Sequence, residues 1–180
     1  NALALADSSR KHHIRQNHGF LYGEKYSVFD VMRLCGWPAE QVPQNVGGYK
    51  LDTESGSLPI FIKYEASQYG DRFLNPGEIE WFSKNNRSLK SNEFRWLLDG
   101  TERTPEWQNR HFVPIFIRRK AEEQEKSYYF VGSAVALDDV RASVNPGEDG
   151  SESKVVISTL KLIKPVDPEL YRHLTGKSAL

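Results

Sequence analysis

Phe112-Val113-Pro114-Ile115-Phe116-Ile117 and Tyr128-Tyr129-Phe130-Val131-Gly132-Ser133-Ala134-Val135 are two strongly apolar runs on either side of a charged turn over 121–126. Each is short and rich in β-branched and aromatic residues, so the pair reads as the two strands of one hairpin. Working outward, Leu58-Pro59-Ile60-Phe61-Ile62-Lys63-Tyr64 is another buried strand, with Pro59 at its start, where a missing donor is tolerated. Val155 to Leu162 is the last strand. Tyr49 opens a further one after the turn-forming pair Gly47-Gly48. Six or seven strands result, most of them spaced for antiparallel pairing. The regular helix that a parallel sheet places between strands is missing. The predicted fold is mainly β (α+β): a twisted antiparallel sheet or partly closed pseudo-barrel with a few short helices.

Two helices are expected. Tyr26 to Trp37 carries apolar residues near helical period, with Ser27 as N-cap, Asp30 at the third helical position and Gly36 as the stop. Pro165 to Leu174 closes the chain. Asn145 to Ser153, without a large apolar residue, reads as the most mobile loop. Residues 1–19 read as a basic linker or helix end feeding a single β-rich domain over 20–176. The chain opens on Asn1 inside a helical pattern, which suggests the middle of a longer protein.

With 180 residues, 38% hydrophobic and 27% charged, the chain has the composition of a globular domain able to bury a core without disulfides. Its one cysteine, Cys35, lies in an apolar pattern and reads as a buried core residue. No run approaches the length of a membrane span, so a cytoplasmic protein with no membrane partner is expected. Formal net charge is zero, which argues against a purely electrostatic nucleic-acid binder. The charge is nonetheless segregated. Residues 81–120 hold nine Lys or Arg against four acids, and residues 121–152 hold two against eight. Such a chain can present one positive face.

The candidate site lies in Glu78-Ile79-Glu80-Trp81-Phe82-Ser83-Lys84-Asn85-Asn86-Arg87-Ser88, an aromatic pair on a strand followed by a run of polar and cationic side chains. That inventory suits phosphate oxygens and base edges. Trp81, Tyr49 or Tyr69 would stack on a base, flipped or not. Ser83, Asn85 and Asn86 would hydrogen-bond an edge. Lys84, Arg87, Arg72, Arg110, Arg118 and Arg119 would hold phosphates. A solvated loop after a core strand is the plainer reading of the same residues. On the stacking reading, Trp81→Ala or Arg87→Ala weakens DNA binding while the fold survives.

Taken in order, these residues resemble a family: Leu34-Cys35-Gly36-Trp37, Asn45-Val46-Gly47-Gly48-Tyr49, Leu58 to Tyr64, Tyr69-Gly70-Asp71-Arg72-Phe73, Trp81 to Ser88, Ile115-Phe116-Ile117-Arg118-Arg119 and Tyr129-Phe130-Val131-Gly132. The chain is similar, over Gly19 to Thr175, to a domain of unknown function found C-terminal to superfamily II helicase modules in bacterial restriction-like and defence proteins. Trp-x-Ser-x-Asn is the sharpest shared motif, and Lys84 departs from a frequent Gln. The resemblance implies a DNA-facing accessory domain, with duplex DNA, modified or not, and helicase or nuclease domains of the same polypeptide as partners. By analogy the strand pattern also looks like PUA and SRA pseudo-barrels, which read modified bases. No catalytic set, metal site or cofactor is called for: no Glu-x-Lys follows an acid on a strand, and no Gly-x-Ser-x-Gly occurs. The competing classes are a nuclease and a protein-interaction or regulatory domain whose acidic segment, 122–152, docks a basic surface.

Overall fold

The structure is a computed structural model and describes residues 19–65, 70–100, 104–122 and 124–177. The basic segment 1–18 and Tyr69 lie outside the described residues. Seven strands form one curled sheet in the order β2-β5-β6-β7-β4-β3, with β1 added on β6. They are β1 (Lys25–Ser27), β2 (Ile60–Tyr64), β3 (Arg72–Asn75), β4 (Glu78–Phe82), β5 (Pro114–Arg119), β6 (Ser127–Pro146) and β7 (Glu152–Leu162). Four short helices accompany them: α1 (Val28–Leu34), α2 (Asn92–Leu97), α3 (Pro105–Arg110) and α4 (Pro168–Thr175). None of the described helices is long and apolar enough to cross a membrane.

The expected hairpin is present, with Ile117 opposite Tyr129 and Pro114 opposite Ser133. One pairing departs from the antiparallel expectation: β2 runs parallel to β5, Ile60 beside Ile115 through Tyr64 beside Arg119. The chain makes this crossover through β3, β4, α2 and α3 in place of a single long helix. Both strands are apolar almost without alternation because both faces are covered, as parallel strands require. Ile60, Ile62, Ile115 and Ile117 enter one core with Trp81, Phe94 and Trp107. Phe61 and Phe116 enter a second core with Phe20, Met32, Trp37 and Phe130.

The helix expected over 26–37 is shorter at its start, because Lys25–Ser27 pairs with β6 as a strand. Its ends are as the sequence predicts. Ser27 Oγ accepts from the Asp30 amide at 3.1 Å. At the other end the Trp37 amide reaches Met32 O and the Gly36 amide reaches Arg33 O. That double bond needs a left-handed residue, and Gly36, at φ 74°, supplies it without a Cβ penalty. Cys35 is buried, and burial pushes its thiol up to about 12, so it is an inert core residue.

β6 is twenty residues long and joins the two halves of the sheet. Its first part pairs with β5 and its second part with β7. Two register shifts, one beside left-handed Asp139, bend it between them. Most of the segment expected to form an acidic surface is therefore strand. Asp138 and Asp139 are neutralised by Lys161 and Arg141.

Candidate nucleic-acid interface

β4 delivers the Trp-x-Ser-x-Asn motif to the point where the sheet gives way to a turn. Trp81 and Ile79 face the core and Phe82 is half-buried. The Trp81 indole is 1% exposed and packs edge-on against Tyr49 at 5.1 Å and beside Phe94 at 5.9 Å. Stacking on a base is closed to it, and the sequence expectation is corrected here: the largest apolar side chain of β4 gains more from burial than from display. Tyr49 is likewise buried. It opens no strand and makes a single bridge to Ile60.

Beyond Phe82 the polar residues are held by the fold. Ser83 Oγ donates to Lys84 O at 2.9 Å and accepts from the Val156 amide at 2.8 Å, which extends the β4–β7 ladder by one residue. The Lys84 ammonium donates to the carbonyls of Val46 (3.1 Å) and Tyr49 (2.7 Å) and lies 4.7 Å from the centre of the Tyr49 ring. Burial lowers the pKa of this ammonium, while Glu93 opposes the shift. Gly47, at φ 61°, makes room for it, since a Cβ there would stand 3.2 Å from Lys84 Nζ. Arg87 forks onto the carboxylate of Glu93, with Nε to Oε1 at 2.6 Å. The Tyr49 hydroxyl donates to the same carboxylate at 3.0 Å and accepts from the Lys84 amide at 3.2 Å. Burial alone would raise the pKa of Glu93, but the Arg87 fork and the Tyr49 hydroxyl hold it below the usual range. The Tyr49 hydroxyl is pushed up, chiefly by burial.

The tip of this turn faces solvent. Asn85 and Asn86 are exposed, and Asn86 adopts the left-handed conformation at φ 61° that asparagine tolerates better than most residues. The Arg87 amide donates to Lys154 O at 3.3 Å, so the distal end of the β6–β7 hairpin lies alongside. Lys90 and Lys154 are exposed next to the tip. Sequence reasoning missed Lys154, because its place depends on a strand pairing across more than sixty residues.

The predicted arginines are dispersed. Arg72 pairs with Glu80 on β4, which also meets Arg141. Arg110, on α3, pairs with Asp99. Arg118 is only 7% exposed, lies over the Tyr128 ring at 4.6 Å and donates to Glu125 O, so it cannot reach a phosphate. Arg119 pairs with Glu122 at 2.9 Å. The register places Ile117 opposite Tyr129 and so Arg119 at the start of β6, while Ser83 and Arg87 adjoin Val156 and Lys154, which face Ala142 and Val144. More than a dozen residues of β6 separate the two, on the order of 40 Å of strand. The single guanidinium-lined rim expected from sequence is therefore two separate regions.

Residues 20–174 match the family described as a domain of unknown function, DUF3427, and the chain belongs to that family. The match spans nearly the stretch over which the sequence resemblance runs. No curated protein matches the chain in sequence. Among solved structures it is similar to the sulfur-binding and SRA domains of ScoMcrA complexed with phosphorothioated DNA, at 13% identity and TM-score 0.48. That alignment covers 89% of this chain, which spans about half (47%) of the other. It is also similar to the SUVH5 SRA domain in complex with hemi-methylated CG DNA, at 14% identity and TM-score 0.47, over 83% of this chain and 92% of that one. The DNA modification-dependent restriction endonuclease AspBHI aligns at 15% identity and TM-score 0.44, over 68% and 35%. At these scores the likeness is one of outline, and the functional reading rests on the site.

Proposed function

We propose that this domain is a DNA-binding recognition module of a bacterial restriction or defence protein, and that the Asn85–Asn86 turn reads base edges. One observation carries the reading: two adjacent exposed carboxamides sit on a turn anchored by Ser83, Lys84, Arg87 and Glu93, with Lys90 and Lys154 beside it. A carboxamide donates and accepts at once, which matches the paired groups on an adenine edge. A turn already fixed by the fold loses little entropy on binding. Exposed lysines supply phosphate contacts that carry no sequence information. Trp81 and Tyr49 act here as positioning residues under the turn.

In this reading the domain works beside helicase or nuclease domains of the same polypeptide in the bacterial cytoplasm, a role supported by the family resemblance. A gel shift with salt titration tests the binding, and a screen of modified and unmodified duplexes identifies the base read. We expect affinity to fall steeply with salt, by a slope near 0.9 per phosphate contacted. Absence of a shift at low salt sinks the reading, and metal-dependent cleavage by the isolated chain replaces it with a nuclease.

A further inference from the structure

At the far end of the sheet a cleft of about 710 Å³ opens beyond the carboxyl ends of the parallel pair β2 and β5 and is bounded by the end of α4. Its walls include Tyr64, Glu65, Arg119, Lys120, Arg172 and His173. Arg119 gives one amino group to Glu122 and keeps its side chain partly exposed at the cleft. Glu122 also lies 3.0 Å from His173 Nε2, and Lys120 pairs with Glu65 at 3.0 Å. Arg172 is exposed on α4 with no ion pair among the described residues.

We propose that this cleft binds a phosphate group, with Arg119 and Arg172 as its donors. A guanidinium fork matches phosphate geometry better than an ammonium does. The carboxylates do not cancel the site: each is shared with a named cation, and Arg172 has no ion pair among the described residues. The phosphate belongs either to a free nucleotide or to the end of a polynucleotide. The inference does not depend on the Asn85–Asn86 reading, because the two regions lie at opposite ends of β6.

The test is calorimetric titration of the whole chain with inorganic phosphate and with adenosine monophosphate, alongside anisotropy with 5′-phosphorylated and 5′-hydroxyl oligonucleotides. Phosphate binding should saturate, weaken about tenfold in Arg172→Glu and in Arg119→Gln, and be unchanged in Asn85→Ala/Asn86→Gly. A several-fold preference for the 5′-phosphorylated strand, lost in Arg172→Glu, assigns the site to a polynucleotide end. Tighter binding of adenosine monophosphate than of inorganic phosphate, with no such preference, assigns it to a free nucleotide. No saturable binding of any of these probes overturns the proposal. So does saturation that Arg172→Glu leaves intact, since that exposed substitution does not threaten the fold.

Discussion

The two ends of the curled sheet differ in how they hold their cations. At the β4 end, the charged groups of Lys84 and Arg87 are engaged by the fold: carbonyls of Val46 and Tyr49 take one and the buried Glu93 takes the other, while the Asn85 and Asn86 carboxamides face water. At the β5 end, Arg119 is paired with Glu122 but partly exposed, and Arg172 is exposed with no ion pair among the described residues. A run of Lys and Arg in a sequence is thus no guide to a charged face. What decides is which carbonyls and carboxylates the topology brings to each cation.

Substitutions that separate the buried underside of the turn from its exposed tip give the sharpest tests. Trp81→Ala should have the largest effect, a loss of about 3–5 kcal/mol of stability by urea denaturation, because a large fully buried side chain is removed. This reverses the expectation from sequence, in which the fold survived and binding fell. An unchanged denaturation midpoint would break the comparison. Glu93→Gln should cost about 1–3 kcal/mol, because it leaves the part-buried Arg87 guanidinium without its anion. The Glu93 carboxyl is held below its ordinary value of 4.5, so its contribution is present above that pH and fades as pH falls through the lower folded value.

Asp71 gives the opposite sign. Burial holds its carboxyl at about 6, against the pull of the Phe82 amide 2.7 Å from Oδ1. Between pH 6 and 4 the folded chain takes up a proton that the unfolded chain does not, so stability rises as pH falls. Asp71→Asn should therefore be more stable than the parent at pH 7.5, by about 1–3 kcal/mol, with the gain shrinking to nothing near pH 4. Parallel stability–pH curves for the two proteins would contradict this. Asn86→Gly should move stability least, upward by a few tenths of a kcal/mol, since glycine relieves the φ of 61° at small entropic cost.

Much of the fold was legible. Ser27, Asp30 and Gly36 marked the ends of α1 because caps are local chemistry, and the hairpin of β5 and β6 followed from two apolar runs flanking a polar turn. The parallel β2–β5 pair was not legible in the sequence, whose spacing pointed to antiparallel pairing. Phe61 and Phe116 stand between isoleucines without alternation, which signals strands covered on both faces, but which strand pairs with which is set by long-range packing. The second half of β6 was missed because Asp138, Asp139 and Arg141 look like loop residues. They are instead the outward side chains of a bent strand, paired with Lys161, Glu80 and one another. The site was half legible. Asn85 and Asn86 stand where a turn would put them. Trp81, Tyr49 and Arg118 have chemistry suited to DNA but are buried, and burial depends on partners such as Phe94, Glu93 and Tyr128 that the motif does not contain.

The most direct test of DNA reading by the exposed carboxamides is the affinity of Asn85→Ala/Asn86→Gly for a duplex, measured by anisotropy at fixed salt alongside the parent. Each lost bidentate contact is worth about 1–3 kcal/mol, so binding should weaken at least about tenfold while the stability read by urea denaturation stays within a few tenths of a kcal/mol. A double variant that binds the duplex as tightly as the parent would contradict the account.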